Sequence, residues 1–191
     1  GRRGTDDAVM ATHDIVPIDL LVVNLYPFAT TVARPGCSYD EGVENIDVGG
    51  PAMLRAAAKN HAHVVVAVDP ADYPQLLAAI DAGGTDFVLR RRLAQKAYAH
   101  TARYDAMVAD WLAARCDGET DACPESLDLH FTRRLALRYG ENPHQRAAFY
   151  VDAGARGAGI AGARQVQGRE LSYNNIADAD TALECVRQFE P

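Results

Sequence analysis

Two short apolar runs constrain the fold most: "IDLLVVNL" at residues 18–25 and "HVVVAV" at 63–68. Both are continuous and rich in β-branched side chains, which fit a pleated strand better than a helix. A strand without polar alternation is one expected to be buried on two faces, the pattern of a parallel sheet covered by helices. Helical stretches at 5–13, 38–46, 51–60 and 71–82 lie between and around these runs, the last opened by "DPADYPQLL" with Asp69 or Asp72 near its cap. Strands alternating with helices predict an α/β unit with a parallel sheet and helices on both faces.

From Asp86 to about Arg115, Phe87, Ala94, Tyr98, Thr101, Met107, Val108, Trp111 and Leu112 recur near helical spacing, with Arg and Lys opposite, which predicts one long amphipathic helix. The acidic, Gly- and Pro-broken stretch "CDGETDACPESLD" (116–128) reads as a linker between two domains, 1–115 and 129–191. Beyond it, "LHFTRRLALRYG" and "RAAFYV" read as strands and "DAGARGAGIAGA" as a flexible loop. "NNIADADTALECVRQFE" reads as a helix with Ile176, Ala179, Leu183 and Val186 on one face and Asn174 or Asn175 as its N-cap.

Composition narrows the function classes. A chain of 191 residues, 48% hydrophobic, is able to bury a normal core, and its net charge of −7 argues against a nucleic-acid-binding protein. No apolar run approaches the roughly 20 residues of a membrane span and no signal-type segment opens the chain, so a soluble, cytoplasmic protein without membrane contact is expected. Cys37, Cys116, Cys123 and Cys185 are widely spaced with no CxxC, and His61 and His63 have no partners at ligand spacing, so no metal site is expected. The opening "GRRGTDDAVM" lacks an initiator Met, and the chain stops directly after its last helix, so it reads as a fragment.

Three constellations can carry chemistry. In an open parallel sheet, ligands sit outside the carboxyl ends of the strands. "NLYPF" (24–28) falls there and presents Asn24 and Tyr26 in a loop stopped by Pro27; the plainer reading packs Tyr26 under that loop. In "ENIDVGGPAMLRAAAKNH" (44–61), Asp47 precedes Gly49, Gly50 and Pro51, and Pro51 suits a first helical position. The amides of such a helix start attract anions or carbonyl oxygens. Lys59 lies about 12 Å further along that helix and cannot reach its start, so it approaches a ligand from elsewhere or is solvated. In "RYGENPHQ" (138–145), Arg138 suits a phosphate, Tyr139 stacking or hydrogen bonding, and His144 proton exchange near neutral pH; a solvated turn is the alternative.

Taken together, "NLYPF", "VENIDVGGPAMLRAAAKNH", "RYGENPHQ" and "LSYNNIADADTALECV" resemble the bifunctional purine-biosynthesis family that joins phosphoribosylaminoimidazolecarboxamide formyltransferase to IMP cyclohydrolase. The motifs are long, in order, and spread over nearly the whole chain. The resemblance implies a methylglyoxal-synthase-like α/β cyclohydrolase domain lacking its beginning, followed by the opening of a transformylase domain. It implies catalytic roles for Tyr26, Asp47 and Lys59 in ring closure; Asn24, Gly49 and Gly50, read from the strand end and the helix start, are expected to bind the substrate there. Arg138, Tyr139, His144 and Asn175 match positions at or near the aminoimidazole nucleotide of the transformylase. The family's phosphate loop and Lys-Thr-Leu-His-Pro segment would precede Gly1 and its Lys-His pair would follow Pro191, so the chain alone is expected to catalyse neither step.

The implied chemistry is formyl transfer from 10-formyltetrahydrofolate, a cosubstrate, to aminoimidazole carboxamide ribonucleotide, then dehydrative closure of the formylated product to IMP. No tightly bound cofactor and no metal are implied, and a homodimer is. Closure brings a carboxamide nitrogen onto a formamide carbonyl within one molecule, so positioning does much of the work. Asp47 is suited to orient the carboxamide N–H, while Tyr26 and Lys59 are suited to stabilise the oxyanion or protonate the departing oxygen. Two other readings stay open: a non-catalytic effector-binding module on the same fold, and methylglyoxal synthase itself, against which the linker and "RYGENPHQ" speak.

Overall fold

The computed structural model describes residues 3–115, 129–152 and 159–189. Two compact units divide the chain, Gly1–Ala122 and Cys123–Pro191. The stretch 116–128 read as a linker, and residues 153–158 of the Gly/Ala-rich loop, lie outside the described residues.

In the first unit, strands β1 (Leu20–Val22) and β2 (Val65–Ala67) pair in parallel, Leu20 opposite Val65 and Val22 opposite Ala67. Helices α1 (Asp7–Thr12), α2 (Phe28–Val32), α3 (Tyr39–Glu44), α4 (Gly49–Lys59), α5 (Tyr73–Asp81) and α6 (Phe87–Ala113) surround them. The pair is thus α/β with parallel strands. Asp69 caps a 3₁₀ turn over Pro70–Asp72 by accepting the Ala71 amide at 2.9 Å, and Asp86 caps α6 through Leu89 at 2.7 Å. Each satisfies an orphan amide that would otherwise weaken a helix start.

The core forms on both faces of β2, all three of whose residues are buried. Alternation sends Val64, Val66 and Val68 into one cluster with Leu54, Ala57, Ala58, Ala94 and Ala97. It sends Val65 and Ala67 into another with Leu76, Leu89 and Leu93. The alanines let α4 and α6 approach the sheet closely, and each fully buried Leu or Val contributes about 1.5–3 kcal/mol. A third cluster, Phe28 with Tyr104 and Trp111, lies near the far end of α6; the Phe28 and Trp111 rings meet edge to face at 5.4 Å.

Strand β1 departs from the expectation of burial on two faces: Leu20 and Val22 are exposed and only Leu21 is half-buried. The cause is its position, since among the described residues it pairs on one side only, with β2. On α6, Phe87 and Tyr98 also turn outward, and the buried face runs instead through Leu89, Leu93, Ala94, Ala97, Thr101, Tyr104 and Trp111. On the same helix Arg90 donates to the carbonyls of His61 and Thr85.

In the second unit, β3 (Phe131–Leu137) and β4 (Ala147–Asp152) pair antiparallel, and α7 (Tyr173–Val186) follows. The N-cap of α7 is Ser172, not Asn174 or Asn175. Ser172 accepts the Asn175 amide while Asn175 Oδ1 accepts the Ser172 amide at 3.1 Å, so Asn175 is the third residue of a capping box. The apolar stripe of α7 is only partly covered: Ile176 and Leu183 are half-buried, whereas Ala179 and Val186 are exposed. No helix among the described residues is long and apolar enough to cross a membrane.

Candidate functional site at the strand end and the bend before α7

The chain leaves β1 through Val23 and turns at Asn24–Phe28, where one carboxylate organises everything nearby. Asp47 Oδ2 accepts the Tyr26 amide at 3.1 Å and Oδ1 accepts the Gly50 amide at 2.7 Å. The Asp47 amide in turn donates to the Tyr104 hydroxyl at 2.6 Å. One residue, through its carboxylate and its own amide, thus ties the strand-end loop, the start of α4 and the middle of α6 together. Hydrogen bonds to an ionised carboxylate are the stronger kind, and the N-terminal end of α4 favours the negative charge.

This clamp explains Gly50. A β-carbon there would lie 2.6 Å from Asp47 Oδ2 and 2.7 Å from a Leu25 methyl, so only glycine lets the carboxylate close on the helix start. Gly49 has open space around it. Helix α4 begins at Gly49, two residues before the expected Pro51 start; Pro51 sits in the first turn, where a missing N–H leaves no intrahelical bond unmade. The pair of donors expected from Gly49 and Gly50 is therefore reduced: Asp47 occupies the Gly50 amide, and Gly49 retains its own.

A cleft of about 260 Å³ opens beside the clamp, lined by Asn24, Tyr26, Val68, His100, Tyr104 and Met107 among others. Tyr26 is 58% exposed, so its ring does not pack under the loop. Burial raises the Tyr104 hydroxyl above the usual phenol range against the pull of the Asp47 amide, and the Asp47 and Asp105 charges add to the rise. His100 moves the other way: burial and then the Arg103 charge lower it, with Asp69 opposing. Tyr104 and His100 were not singled out in the sequence. The signal was there, as polar side chains at four-residue spacing, Lys96, His100 and Tyr104, on one face of the helix.

Lys59 is not brought to this cleft. It stands near the other end of α4, about 15 Å along the axis from Gly49, and lines a separate, mostly apolar cavity of about 610 Å³ with Leu21, Met53, Asn60 and Val64. His61 is spent locally, its Nδ1 2.8 Å from the Ala58 carbonyl. Among the described residues no group of His, Cys, Asp and Glu is arranged to hold a metal ion.

In the second unit, "RYGENPHQ" folds back on itself and onto the start of α7. The Gly140 amide donates to the Gln145 carbonyl at 2.9 Å, and the Asn142 amide to Gln145 Oε1 at 2.8 Å. The Arg138 amide reaches Leu171, the Tyr173 amide reaches Tyr139, and Asn174 Nδ2 reaches the Glu141 carbonyl. A β-carbon at Gly140 would meet Gln145 Cβ at 2.9 Å, so the closeness of the bend requires that glycine. The Arg138 guanidinium lies 4.9 Å from the centre of the Tyr139 ring, and its buried Nε has no partner among the described residues. His144 is exposed. The bend thus gathers Arg138, Tyr139 and Asn175 near one helix start, with Asn175 Oδ1 committed to the cap.

A parallel strand pair with a cleft at its carboxyl end, followed by a strand-strand-helix unit with an arginine-bearing bend, defines a two-unit α/β protein. Residues 57–191 match the AICARFT/IMPCHase bienzyme family, and the chain belongs to it. That match includes Lys59, His100, Tyr104 and the whole second unit, while Tyr26 and Asp47 precede it. Among solved structures, the crystal structure of ForH is similar at 37% identity with a TM-score of 0.52, the match covering 61% of this chain and 61% of ForH.

Proposed function

We propose that the protein carries out the last two steps of IMP synthesis: formyl transfer from 10-formyltetrahydrofolate to aminoimidazole carboxamide ribonucleotide, then dehydrative ring closure. Membership of the AICARFT/IMPCHase bienzyme family carries this reading. The first unit, as a methylglyoxal-synthase-like domain over 1–115, closes the ring; the second, from 129 onward, belongs to the transformylase, and 116–128 joins them. The protein works in the cytoplasm as a homodimer.

The geometry of the strand-end cleft supports ring closure there. The substrate must fold its carboxamide onto its formamide, and a cleft held by a three-way clamp is suited to fix that conformer. Tyr26, exposed at the rim, stabilises the oxyanion. Asp47 spends one lone pair of each oxygen on a backbone amide, and its remaining lone pairs orient the carboxamide N–H. The Gly49 amide meets a carbonyl of the base. Lys59, the third residue proposed for ring closure, lines the other cavity and stands apart from this cleft within the chain. In the second unit, Arg138 binds the nucleotide's phosphate as a bidentate fork.

Two variants of the full-length protein, assayed for both activities, test the assignment. Tyr26→Phe is expected to slow closure of supplied formylated nucleotide by roughly 10²-fold or more and to spare formyl transfer. Arg138→Ala is expected to cost the transformylase about 1.5–3 kcal/mol in apparent nucleotide binding and to spare closure. Loss of the opposite activity in either variant, with the fold intact by thermal melting, refutes the division of labour. Nucleotide binding without turnover in the wild type points instead to an effector-binding module.

A further inference from the structure

One side chain in the strand-end cleft is held in place and yet uncommitted. Along α6, Lys96, His100 and Tyr104 follow one another at four-residue spacing and so share a face. Lys96 Nζ donates to Asp69 at 2.7 Å and to Asp72 at 2.6 Å, pinning α6 to the segment that leaves β2. Tyr104 is pinned by the Asp47 amide. His100 lies between these two anchors and lines the cleft with Asn24 and Tyr26. Neither of its ring nitrogens is hydrogen-bonded among the described residues, in contrast to His61, which is spent on Ala58. A half-buried imidazole on a helix anchored at both neighbouring turns, lining a cleft and making no hydrogen bond among the described residues, is suited to proton transfer to a bound ligand.

We propose that His100 is a catalytic residue of ring closure, contacting the reacting carboxamide and formamide of the nucleotide and relaying protons between them. The inference rests on the ring-closure reading given above. As the carboxamide nitrogen bonds to the formyl carbon, the neutral imidazole takes one proton from that nitrogen and returns it to the formyl oxygen, giving a hydroxyl. The imidazole then relays the proton of the former formamide nitrogen to that hydroxyl as the C–O bond breaks. One water leaves, a C=N bond remains, and the imidazole ends as it began, so no co-reactant is needed.

The surrounding charges suit a base that is neutral near pH 7. Around His100 stand Asp69 after β2, Lys96, Arg103 and Tyr104 on α6, and Tyr26 on the cleft lining, with Asp47 behind Tyr104 through its amide. Burial and Arg103 disfavour the imidazolium, and the Asp69 charge, already shared with Lys96, only partly offsets them. His100 therefore protonates below the ordinary histidine value of about 6.5.

The test is the pH dependence of ring closure in the full-length protein, for wild type and His100→Gln, with IMP affinity measured by calorimetry. Wild-type kcat is expected to fall on the acid side with a midpoint below about 6.5. His100→Gln is expected to lower kcat by roughly 10²- to 10³-fold, to keep IMP affinity within a few-fold, and to lose the acid limb. A variant whose kcat stays within about threefold of wild type and keeps that limb overturns the inference. A second reading uses wild type alone: added IMP is expected to shift the His100 ring resonances in NMR. Shifts elsewhere with His100 unmoved also overturn it, and this holds whether or not the protein turns over. Wild-type protein that shifts His100 but closes no ring refutes the ring-closure reading and, with it, the relay.

Discussion

Gly50→Ala is the substitution that most directly probes the clamp on which the strand-end cleft depends. By intrinsic propensity alone the change favours a helix by up to about 1 kcal/mol, less in a first turn than in an interior. Against this, the new β-carbon lies 2.6 Å from Asp47 Oδ2, 2.9 Å from Asp47 Cγ and 2.7 Å from Leu25 Cδ2. Two of those atoms belong to a carboxylate that accepts two backbone amides, so it cannot rotate away without breaking at least one bond. A hydrogen bond to a charged group contributes about 1.5–3 kcal/mol, and displacing Leu25 adds packing loss. The net expectation is destabilisation by about 1–3 kcal/mol. Gly49→Ala, one residue earlier, meets nothing within 4 Å and serves as the matched control; it is expected to be neutral or stabilising by a few tenths of a kcal/mol. Urea unfolding of both variants, followed by far-UV circular dichroism, reads the difference as a shift in midpoint at constant slope. Equal midpoints for the two alanines, or a more stable Gly50→Ala, refute the clamp.

Tyr104→Phe leaves the Asp47 amide without its acceptor in a largely buried setting and is expected to cost about 1–3 kcal/mol by the same unfolding assay. Lys96→Met strands the Asp72 carboxylate, which is 7% exposed, with only Arg92 at 3.8 Å to answer it; a loss of about 2 kcal/mol at pH 7 is expected. For Lys96 itself, burial opposes the charge but the Asp69 and Asp72 bonds outweigh it, so its folded value lies above the ordinary one. The stability it contributes is therefore complete below about pH 10 and is lost as pH rises through the raised value; urea midpoints from pH 7 to 11 should converge for wild type and Lys96→Met at the alkaline end. Gly140→Ala forces the bend open against Gln145 and is expected to weaken nucleotide binding by the second unit, measured by calorimetry, while sparing ring closure.

Much of the fold was legible because its strongest signals are local. After His63 the run at 63–68 has no polar residue to place outward, and its Val65–Ala67 form the fully buried β2; the Asp86-capped helix runs where its periodicity puts it. The run at 18–25 carries the same signal but forms a strand open on one side, because a sequence run cannot say how many neighbours a strand acquires. At the α7 start, two asparagines looked like caps, yet Ser172 takes the position. Its hydroxyl reaches the amide three residues on, and Asn175 is at the right distance to answer it. The candidate site shows the same limit. Asn24, Tyr26, Asp47 and Gly50 were readable from a strand end and a helix start, and they do meet. His100 and Tyr104 arrive from a helix more than fifty residues further along the chain, and Lys59, though next to the motif in sequence, is carried away by the rise of α4.

A crystal structure of the full-length protein with IMP bound tests the central claim most directly. The expected result is a purine in the cleft between Tyr26 and His100, with a base carbonyl about 3 Å from the Gly49 amide and the Asp47 clamp unbroken. Phosphate oxygens seated on the Gly49 amide, or a nucleotide bound with Tyr26 and His100 untouched, would contradict it.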